Sequence, residues 1–596
     1  MGRSIRNNRR ARRSHRRRPD RDQPRPQTGF RPQQGRLYSG EFTMEISMNH
    51  SGIIDLVPAE LRQQWAEQGL YPNRTVFQMF QMYAEQSPEK AAVLSSDSAI
   101  TYGDLLDKAL RLATRLREMG IVAGDVIAYQ LPNSWRCCAV DLAAAAIGAV
   151  VAPFPPGRGR LDIQSLLKRC DARAIIATPE YGGVDMCELI ESLRPTTLSL
   201  RLLIADGDEA PDNWLRLQQL FQAEPMPVEQ LPYVCPDSPV RLLVSSGTES
   251  EPKLVAYSHN ALLGGRGRFL QRLHPDGASF RGMYLVPLGS SFGSTATFGV
   301  LSWLGGSLAV LPRFDAEEAI RAIATLRPTH ILGVPTMIQR MAAEPLLADI
   351  DKSSLVAIVS GGSVIDPASI QRCVDAFGCG FISLYGSADG VNCHNTLDEA
   401  LDVVFHSVGR PNPDVCAIRI VDDAGKEVGP GEVGEILARG PISPMQYVNA
   451  PELDARYRDA EGWVYTGDLG LLDPEGYLRL SGRKKDVIVR GGANISTVQI
   501  ENLVTCFPDV ISAACVPVPD PDLGQRVCLC LSMRSGADRP SLTEITSFLR
   551  DQGLEVNKLP EYLRFIRHFP LTPAGKVDKK RLTAEVAFLE RSACAV

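Results

Sequence analysis

The feature that most constrains the fold is the alternation of short apolar runs with helix-length segments along most of the chain. Strands are predicted at residues 125–130, 149–153, 174–177, 200–204, 241–244, 309–311, 330–332 and 355–359, and helical patterns separate them. This alternation is typical of α/β layers in which the sheets are mostly parallel. We therefore predict an α/β protein built from layered sheets.

The pattern changes twice toward the C-terminus. After residue 402 the strands become short and are joined by tight turns, which predicts a β-rich subdomain. After residue 483 a strand, a helix, two strands and a second helix follow, which fits a separate α+β domain of roughly 110 residues. We predict a large N-terminal domain over residues 48–482 and a small C-terminal domain over residues 483–589.

Positive charge is concentrated at the start of the chain. Residues 1–36 contain 13 Arg, no Lys and two acids, a net charge of +11; since the whole chain carries −5, the rest carries −16. The segment has too few apolar side chains to offset the entropy of ordering it. We predict a disordered Arg-rich arm over residues 1–43, or sequence upstream of a mis-assigned start, because Met44 and Met48 precede the first globular pattern. A nucleic-acid-binding arm is the alternative, although the acidic remainder makes a nucleic-acid partner unexpected.

The composition excludes several classes of protein. With 44% hydrophobic and 22% charged residues, the chain is neither mostly disordered nor a coiled-coil rod. Its longest apolar stretch, residues 137–156, is interrupted by Asp141, whereas a membrane span needs roughly 20 apolar residues without a break, so we predict a buried helix leading into a strand. The 14 cysteines are scattered with no Cys-x-x-Cys pair. We expect reduced thiols and a soluble, cytoplasmic protein with no zinc site.

The most informative segment is Ser-Ser-Gly-Thr-Glu-Ser-Glu-Pro-Lys at residues 245–253, directly after a predicted strand. Small hydroxyl residues around a glycine let backbone N–H and side-chain O–H groups surround a polyphosphate, and a lysine adds positive charge. The segment is not a Walker A loop, because the Gly-Lys-Ser/Thr ending is absent. The predicted phosphate ligands are Ser245, Ser246, Gly247, Thr248, Glu249, Ser250 and Lys253.

Four further motifs follow this loop in order. They are Tyr-Gly-Ser-Ala-Asp-Gly at residues 385–390, Gly-Trp-Val-Tyr-Thr-Gly-Asp at 462–468, Gly-Arg-Lys-Lys-Asp at 482–486 and Pro-Ala-Gly-Lys-Val-Asp at 573–578. In order and spacing the five motifs resemble those of the adenylate-forming superfamily, which includes acyl- and aryl-CoA ligases, peptide-synthetase adenylation domains and luciferases. The resemblance extends over residues 58–582 and is strongest to stand-alone acyl-CoA ligases and aryl-acid ligases that load carrier proteins.

The resemblance implies a reaction in two halves. A carboxylic acid (aryl, alicyclic or medium acyl) is activated with ATP and Mg²⁺ to an acyl-adenylate, with release of pyrophosphate. The acyl group then passes to the thiol of CoA or of the phosphopantetheine on a separate carrier protein; a non-thiol acceptor is an alternative. Two anions must meet in the first half, so catalysis is mainly positioning and charge neutralisation.

The resemblance also implies roles for individual residues around the nucleotide. Tyr385 would stack near the adenine beside Gly386, and Asp468 would bind the ribose hydroxyls with Arg483 nearby. Asp389 stands where the family usually has Glu and would be the Mg²⁺ ligand, since a carboxylate together with substrate phosphates is the usual way to hold this cation.

Two C-terminal residues are implied in the chemistry and in the change between the half-reactions. Lys576 would bridge the acid carboxylate and the α-phosphate during transfer. Asp486 would be the hinge about which a mobile C-terminal domain turns, because such a motion concentrates φ/ψ change in a few residues at an element boundary.

Residues 283–301 bear on the acid. They contain no Asp to pair with an α-ammonium group, and an unpaired buried ammonium is costly, so an α-amino acid is disfavoured. In the resembled family, ligases for catechol acids usually have an Asn here, which is also missing. The predicted pocket residues are all small: Ser290, Ser291, Gly293, Gly361, Gly362, Ser387 and Ala388.

One motif points elsewhere. Residues 289–293 match the Gly-x-Ser-x-Gly nucleophile elbow of α/β hydrolases, with His394, His406 and His568 downstream. A hydrolase that uses Ser291 is therefore the second enzyme hypothesis. It requires a strand directly before the serine, which residues 283–286 are predicted to supply, and a helix after it, and it leaves the five other motifs unexplained.

Overall fold

The structure is a computed structural model that describes residues 52–245, 253–274, 279–484, 486–490, 493–520, 522–572 and 575–587. The predicted arm over residues 1–43 lies outside this part of the chain. Within the described residues, none of the helices combines the length and the apolar character that crossing a membrane requires.

The helices begin and end at recognisable signals. Helix α2 begins at a capping box in which the Thr75 side chain accepts from the backbone of Gln78, and α15 begins at the same motif formed by Ser541 and Glu544. Two π-helices cover Ala261–Gly267 and Ala296–Leu304. The α-helices are α1 Ala59–Glu67, α2 Val76–Gln86, α3 Tyr102–Glu118, α4 Trp135–Ile147, α5 Arg160–Arg169, α6 Met186–Glu191, α7 Leu217–Leu220, α8 Arg268–Leu273, α9 Ala316–Leu326, α10 Pro335–Ala343, α11 Pro367–Phe377, α12 Leu401–His406, α13 Pro451–Tyr457, α14 Thr497–Val504, α15 Leu542–Asp551 and α16 Lys579–Ala587.

The strands form two large sheets and two smaller ones, besides a short hairpin. In chain order they are β1 Ala91–Leu94, β2 Ala99–Thr101, β3 Val126–Gln130, β4 Val150–Pro153, β5 Ala174–Ala177, β6 Glu180–Tyr181, β7 Val184–Asp185, β8 Leu202–Ala205, β9 Leu215–Arg216, β10 Pro239–Ser245, β11 Lys253–Ser258, β12 Arg281–Tyr284, β13 Ser307–Val310, β14 His330–Gly333, β15 Ala357–Gly361, β16 Gly380–Gly386, β17 Asn392–His394, β18 Ala417–Val421, β19 Gly434–Arg439, β20 Gln446–Tyr447, β21 Val464–Leu472, β22 Leu478–Arg483, β23 Ile488–Arg490, β24 Ala493–Ile495, β25 Val510–Asp520, β26 Gly524–Met533 and β27 Tyr562–Phe565.

Each large sheet has eight strands with parallel neighbours at its centre. The first has the order β17-β16-β15-β14-β12-β13-β1-β2, and the second has the order β20-β11-β10-β4-β3-β5-β8-β9. Antiparallel pairs occur at the edges, as between β10 and β11. The prediction of α/β layers with mostly parallel sheets is confirmed.

Helix α4 belongs to the core that joins the two large sheets. It is buried from Cys137 to Ile147, and one continuous apolar cluster contains it together with Ile127 of the second sheet and Val359 of the first. A helix that is apolar on all sides has to be buried in this way. The predicted buried helix leading into a strand is therefore α4 followed by β4.

The last two sheets match the predicted change of pattern. Strands β18, β19, β21 and β22 form a four-stranded antiparallel sheet. Strands β23 to β27 form a separate five-stranded sheet on which α14 and α16 pack. Strand β22 ends at Arg483 and β23 begins at Ile488, so the predicted boundary between residues 482 and 483 falls where one sheet ends; the domain limits stay predictions.

Candidate active site

A cavity of about 490 Å³ lies where several elements end. Strands β15 and β16 are parallel neighbours, with Gly361 opposite Leu384, and their carboxyl ends contribute Gly362 and Ser387 to the wall. Ligands of open α/β sheets bind at this edge, beyond the carboxyl ends of the strands. Strands β21 and β22 and Lys576 complete the cavity.

The lining falls into two groups by chemistry. We call Asp389, Glu435, Asp468, Arg483 and Lys484 the charged part of the cavity. The apolar part consists of large apolar side chains interspersed with small residues: Phe269, Val286, Phe292, Val334, Leu384, Val391, Gly289, Ser290, Ser291, Gly361, Gly362, Gly386, Ser387 and Ala388.

The charged part is organised around Asp468 of β21. Its Oδ1 accepts a hydrogen bond of 2.9 Å from Arg483 Nε, and its Oδ2 accepts one of 2.7 Å from the Tyr385 hydroxyl. Burial raises the pKa of Asp468, and the nearby Arg483 acts in the opposite direction. The two oxygens retain lone pairs for further donors, so the carboxylate is held in place and can still accept hydrogen bonds from ribose hydroxyls.

Tyr385 lies beside the charged part. The ring is buried and is not among the side chains that line the cavity, whereas its neighbours Leu384 and Gly386 are. Its hydroxyl fixes Asp468, which does line the cavity. The predicted role, stacking near the adenine, stays a prediction.

Strands β10 and β11 hold the two ends of the predicted phosphate loop. They are antiparallel neighbours, with Ser245 opposite Lys253. Lys253 lines the cavity, and its ammonium lies 3.8 Å from the centre of the Tyr457 ring, a cation–π distance. The predicted ligands Ser246, Gly247, Thr248, Glu249 and Ser250 lie outside the described residues.

Asp389 fits the predicted Mg²⁺ site in its chemistry. It lines the cavity, and its Oδ1 accepts a hydrogen bond of 2.8 Å from the Tyr447 hydroxyl. Over the described ranges, no three or more His, Cys, Asp and Glu side chains come together as a metal site. A single carboxylate suits Mg²⁺ in this situation, because this cation is commonly held by one or two carboxylates together with substrate phosphates and water.

Lys576 enters the cavity from the C-terminal part of the chain. Its turn is closed by a hydrogen bond of 2.7 Å from Thr572 N to Lys576 O, and Thr336 donates to Gly575 O at 3.0 Å. The side chain passes over Gly362, where an added Cβ would lie 3.1 Å from Lys576 Cε. Burial and, to a lesser extent, the nearby Arg483 lower the pKa of Lys576 to about 8, while Asp468 acts in the opposite direction. Lys576 thus lines the same cavity as the charged part, and its role in adenylation stays a prediction.

Asp486 lies between β22 and β23 and does not line the cavity. Its backbone N–H donates to Arg483 O at 3.0 Å. A position between two sheets suits a hinge, but its role as the hinge stays a prediction.

The structure brings most of the predicted pocket residues together. Ser290, Ser291, Gly361, Gly362, Ser387 and Ala388 all line the apolar part of the cavity. Gly293 is not among the lining residues: an added Cβ there would lie 2.1 Å from Pro287 O, so this glycine packs against backbone within the turn, and its place in the pocket stays a prediction.

Several lining residues were missed by sequence reasoning. Arg158, Arg266, Phe269 and Asn392 belong to no recognised motif, and they come from different elements. The sequence contains one signal that could have revealed Arg266, the run Gly-Gly-Arg-Gly at residues 264–267 inside a helical pattern. Each glycine costs about 1 kcal/mol of stability in a helix, so a cluster of glycines around an arginine indicates a packing or functional constraint.

The hydrolase hypothesis fails on geometry. A nucleophile elbow needs the serine on a sharp turn directly after a strand. Strand β12 ends at Tyr284, and Ser291 lies farther along in an irregular turn, where its carbonyl accepts hydrogen bonds from Arg266 and the Ser294 hydroxyl. The Nδ1 of His394 is bound to the carbonyl of Asn395 in a buried environment.

Comparison with known proteins agrees with this site. Residues 80–448 match the family described as AMP-binding enzyme, and residues 499–576 match the AMP-binding enzyme C-terminal domain. The chain is 32% identical over 533 residues to pyochelin synthase PchD of Pseudomonas aeruginosa strain UCBPP-PA14, covering 88% of this chain and 95% of that protein. It is 31% identical over 536 residues to a salicylyl-CoA synthase / salicylate adenylyltransferase of Streptomyces sp, covering 88% and 96%.

A solved structure has a similar fold. The amide bond synthetase McbA from Marinactinospora thermotolerans is 27% identical, with a TM-score of 0.75, and the match covers 86% of this chain and 99% of that one. The predicted ATP-dependent, AMP-forming ligase is thus confirmed at the level of the family. The motifs, the cavity that they line and these matches together show that the chain belongs to the AMP-binding enzyme family.

Proposed function

We propose that this enzyme activates an aryl carboxylic acid as its adenylate and transfers the acyl group to the thiol of CoA or of a carrier-protein phosphopantetheine. The name of the Streptomyces relative, which is a salicylyl-CoA synthase and salicylate adenylyltransferase, supports an aryl acid. Alicyclic and medium acyl acids remain the competing substrates.

The observation that carries this proposal is the composition of the cavity. Lys576 and the charged part share a single cavity of about 490 Å³ with an apolar part that contains Phe269 and Phe292. The volume and the mixture of apolar walls with a few polar groups suit a small organic acid beside a nucleotide. An aromatic ring between apolar side chains buries its surface, while its carboxylate reaches the lysine.

The first half-reaction follows from the charges. A carboxylate oxygen of the acid attacks the α-phosphorus of ATP, and the bond from that phosphorus to the bridging oxygen of pyrophosphate breaks. Lys576 supplies positive charge to the two anions that meet, and Asp468 fixes the ribose. Asp389 is the residue that would hold Mg²⁺, which when bound neutralises phosphate charge. In the second half, the thiol sulfur attacks the acyl carbonyl carbon and AMP leaves, while the thiol proton passes to solvent.

The test is acid-dependent pyrophosphate release, measured over benzoate, hydroxybenzoates, cyclohexanecarboxylate and octanoate, each with and without CoA. We expect release with aryl acids, and thioester formation when CoA or a loaded carrier protein is the acceptor. Lys576→Ala serves as the control for background hydrolysis of ATP. Release with octanoate or cyclohexanecarboxylate and with no aryl acid would overturn the aryl assignment.

A further inference from the structure

A buried arginine lines the apolar part of the cavity, and the proposed mechanism does not use it. Arg266 is 6% exposed and belongs to the π-helix Ala261–Gly267. A π-helical turn within a helix frequently marks a functional site. A guanidinium in an apolar pocket needs an explanation, because burying a charge is costly unless acceptors compensate for it.

The local sequence fixes this side chain firmly. The helix runs so close to its neighbours that an added Cβ at Gly264 would lie 2.2 Å from Leu70 O, and one at Gly265 would lie 2.4 Å from Ile442 Cα. Side chains at these positions would collide with the backbone of Leu70 and Ile442 and displace the helix. The glycines therefore allow the approach that brings Arg266 to the cavity wall.

The guanidinium is incompletely satisfied by the protein. Its Nη2 donates to Ser387 O at 2.9 Å and approaches the Tyr257 hydroxyl at 3.4 Å, and its Nη1 donates to Ser291 O at 3.3 Å. Within the described ranges its Nε is buried with no hydrogen-bond partner, and no carboxylate lies within 4.0 Å to balance the charge.

A second buried arginine shows what a purely structural site is like. Arg241 is 1% exposed, and its Nη1 pairs with the Asp141 carboxylate at 3.0 Å. The Asp141 carboxylate is itself bound by the Thr297 and Tyr129 hydroxyls. The Nε of Arg241 is buried without a partner as well, so the two arginines differ in the counter-ion, which Arg241 has within the fold. Arg266 has only neutral acceptors in the described structure, and it lines a cavity that a substrate can enter.

We propose that Arg266 recognises an oxygen substituent on the aryl ring of the acid, a hydroxyl or a second carboxylate, and thereby determines which acid is activated. This inference rests on the proposed function. Arginine donates in a planar fork that suits oxygen acceptors, and the substrate oxygen would supply the acceptor that the fold withholds. Lys576 and Arg266 line the same cavity, so one small acid can present its reacting carboxylate to the first and its substituent to the second.

The experiment compares acids that differ only in the substituent. Acid-dependent exchange of pyrophosphate with ATP is measured for benzoate, salicylate, 3-hydroxybenzoate, 4-hydroxybenzoate and phthalate, with the wild type and with Arg266→Met, which keeps an unbranched side chain and removes the guanidinium. We expect the wild type to prefer one or more substituted acids, and Arg266→Met to lose that preference by about 10- to 100-fold in kcat/KM, the range for a hydrogen bond to a charged group. Benzoate should change by less than about threefold. Comparison of the hydroxybenzoates with phthalate shows whether Arg266 binds a hydroxyl or a second carboxylate.

Controls separate recognition from a merely structural role. Arg268→Met removes a neighbouring guanidinium that binds Gly69 O and Leu70 O outside this cavity, and its acid preference should equal that of the wild type. If Arg266 only ties two loops together, Arg266→Met lowers kcat/KM for benzoate and the substituted acids equally, and the proposal is wrong. Arg266→Lys, which keeps the charge but not the fork, should retain part of the preference, and it serves as the test if the Met variant melts at a lower temperature.

The outcome is distinguishable from a failure of the proposed function. If no aryl acid supports exchange with the wild type, the aryl assignment fails first. If aryl acids support exchange and the preference is the same with and without Arg266, only the role of Arg266 fails.

Discussion

The charged and apolar parts of the cavity are built in opposite ways. In the charged part each functional group has a partner supplied by the fold: Asp468 is held by Arg483 and Tyr385, and Lys484 pairs with Glu435 at 3.1 Å. Beside the apolar part, the buried Arg266 has only neutral acceptors among the described residues. Groups that serve every substrate are held in advance by the protein, whereas a group that discriminates between substrates is left for the substrate to satisfy.

The largest expected effect on activity comes from Lys576, which lies in the cavity with both the charged and the apolar part. Lys576→Ala should slow adenylate formation by about 10²–10³, or about 3–4 kcal/mol, because it removes a preorganised charge at the point where two anions meet. The loss should be the same for every acid, in contrast to Arg266→Met. We would measure single-turnover pyrophosphate release, and thioester formation from a pre-made adenylate as the control. An equal loss in both half-reactions would show that Lys576 is not specific to adenylation.

The next largest effect is expected in the segment between β22 of the four-stranded sheet and β23 of the five-stranded sheet. Asp486→Pro fixes φ near −65° and removes the hydrogen bond from Asp486 N to Arg483 O. Because the structure already has Lys576 in the cavity, we expect adenylation to persist and thiol transfer to fall more than tenfold. The measurement is pyrophosphate release and acyl transfer in one turnover.

Asp486→Ala, which keeps the backbone N–H, is the matched control and should retain both steps. Lys485→Pro tests the neighbouring bond. If Lys485→Pro separates the half-reactions and Asp486→Pro does not, the hinge is not Asp486. A loss of both steps in a folded Asp486→Pro protein contradicts the assignment as well.

A pH dependence should follow from the burial of Lys576. Its pKa is lowered to about 8, so the lysine is charged below that pH and loses its charge as the pH rises through it. Since kcat/KM reports the free enzyme, kcat/KM for ATP should fall about tenfold between pH 7 and pH 9. Lys576→Arg keeps its charge over this range and should show a flat profile; a wild-type profile that is equally flat would contradict the role of the lysine charge.

A smaller effect is expected behind the charged part. Tyr385→Phe removes the hydrogen bond to Asp468 Oδ2 but leaves the one from Arg483. We expect KM for ATP to rise about fivefold, the effect of about 1 kcal/mol from one hydrogen bond, with KM for the acid unchanged. Tyr465→Phe, which removes a hydroxyl at the cavity wall without a bond to Asp468, is the comparison. A rise in KM for the acid with no change in KM for ATP would contradict the role of Tyr385 in holding Asp468.

The smallest expected effect is outside both parts. Removal of residues 1–43 should leave the melting temperature and acid-dependent pyrophosphate release unchanged, because this segment has almost no apolar side chains to contribute to a core. Unfolding or loss of activity in the truncated protein would show that the segment is required. A salt titration of nucleic-acid binding, with and without the segment, tests the alternative role.

The two parts of the site also differ in how far the sequence revealed them. Asp468, Arg483 and Lys576 each lie in a motif whose residues are close together along the chain. The nucleotide is the same whichever acid is activated, so its phosphates and ribose require the same residue types at these positions. The residues that surround the acid were predicted from small side chains alone. One of these, Gly293, packs against the backbone of Pro287, and the large side chain of Arg266 was not predicted. The missed lining residues Arg158, Arg266, Phe269 and Asn392 come from three separate stretches of the chain, so no local pattern reveals them.

The sequence by itself determined the alternation of strands and helices, the confirmed change to a β-rich subdomain, and the motifs that belong to the nucleotide side of the site. These follow from apolar periodicity and short-range spacing, which are local properties. Only the tertiary structure decided that Tyr385 binds Asp468, that Asp141 of α4 pairs with Arg241, and that Arg266 keeps no counter-ion within the described part. The physical reason is that the pairing of a buried charge depends on residues a hundred or more positions away, and only folding brings them within hydrogen-bond distance.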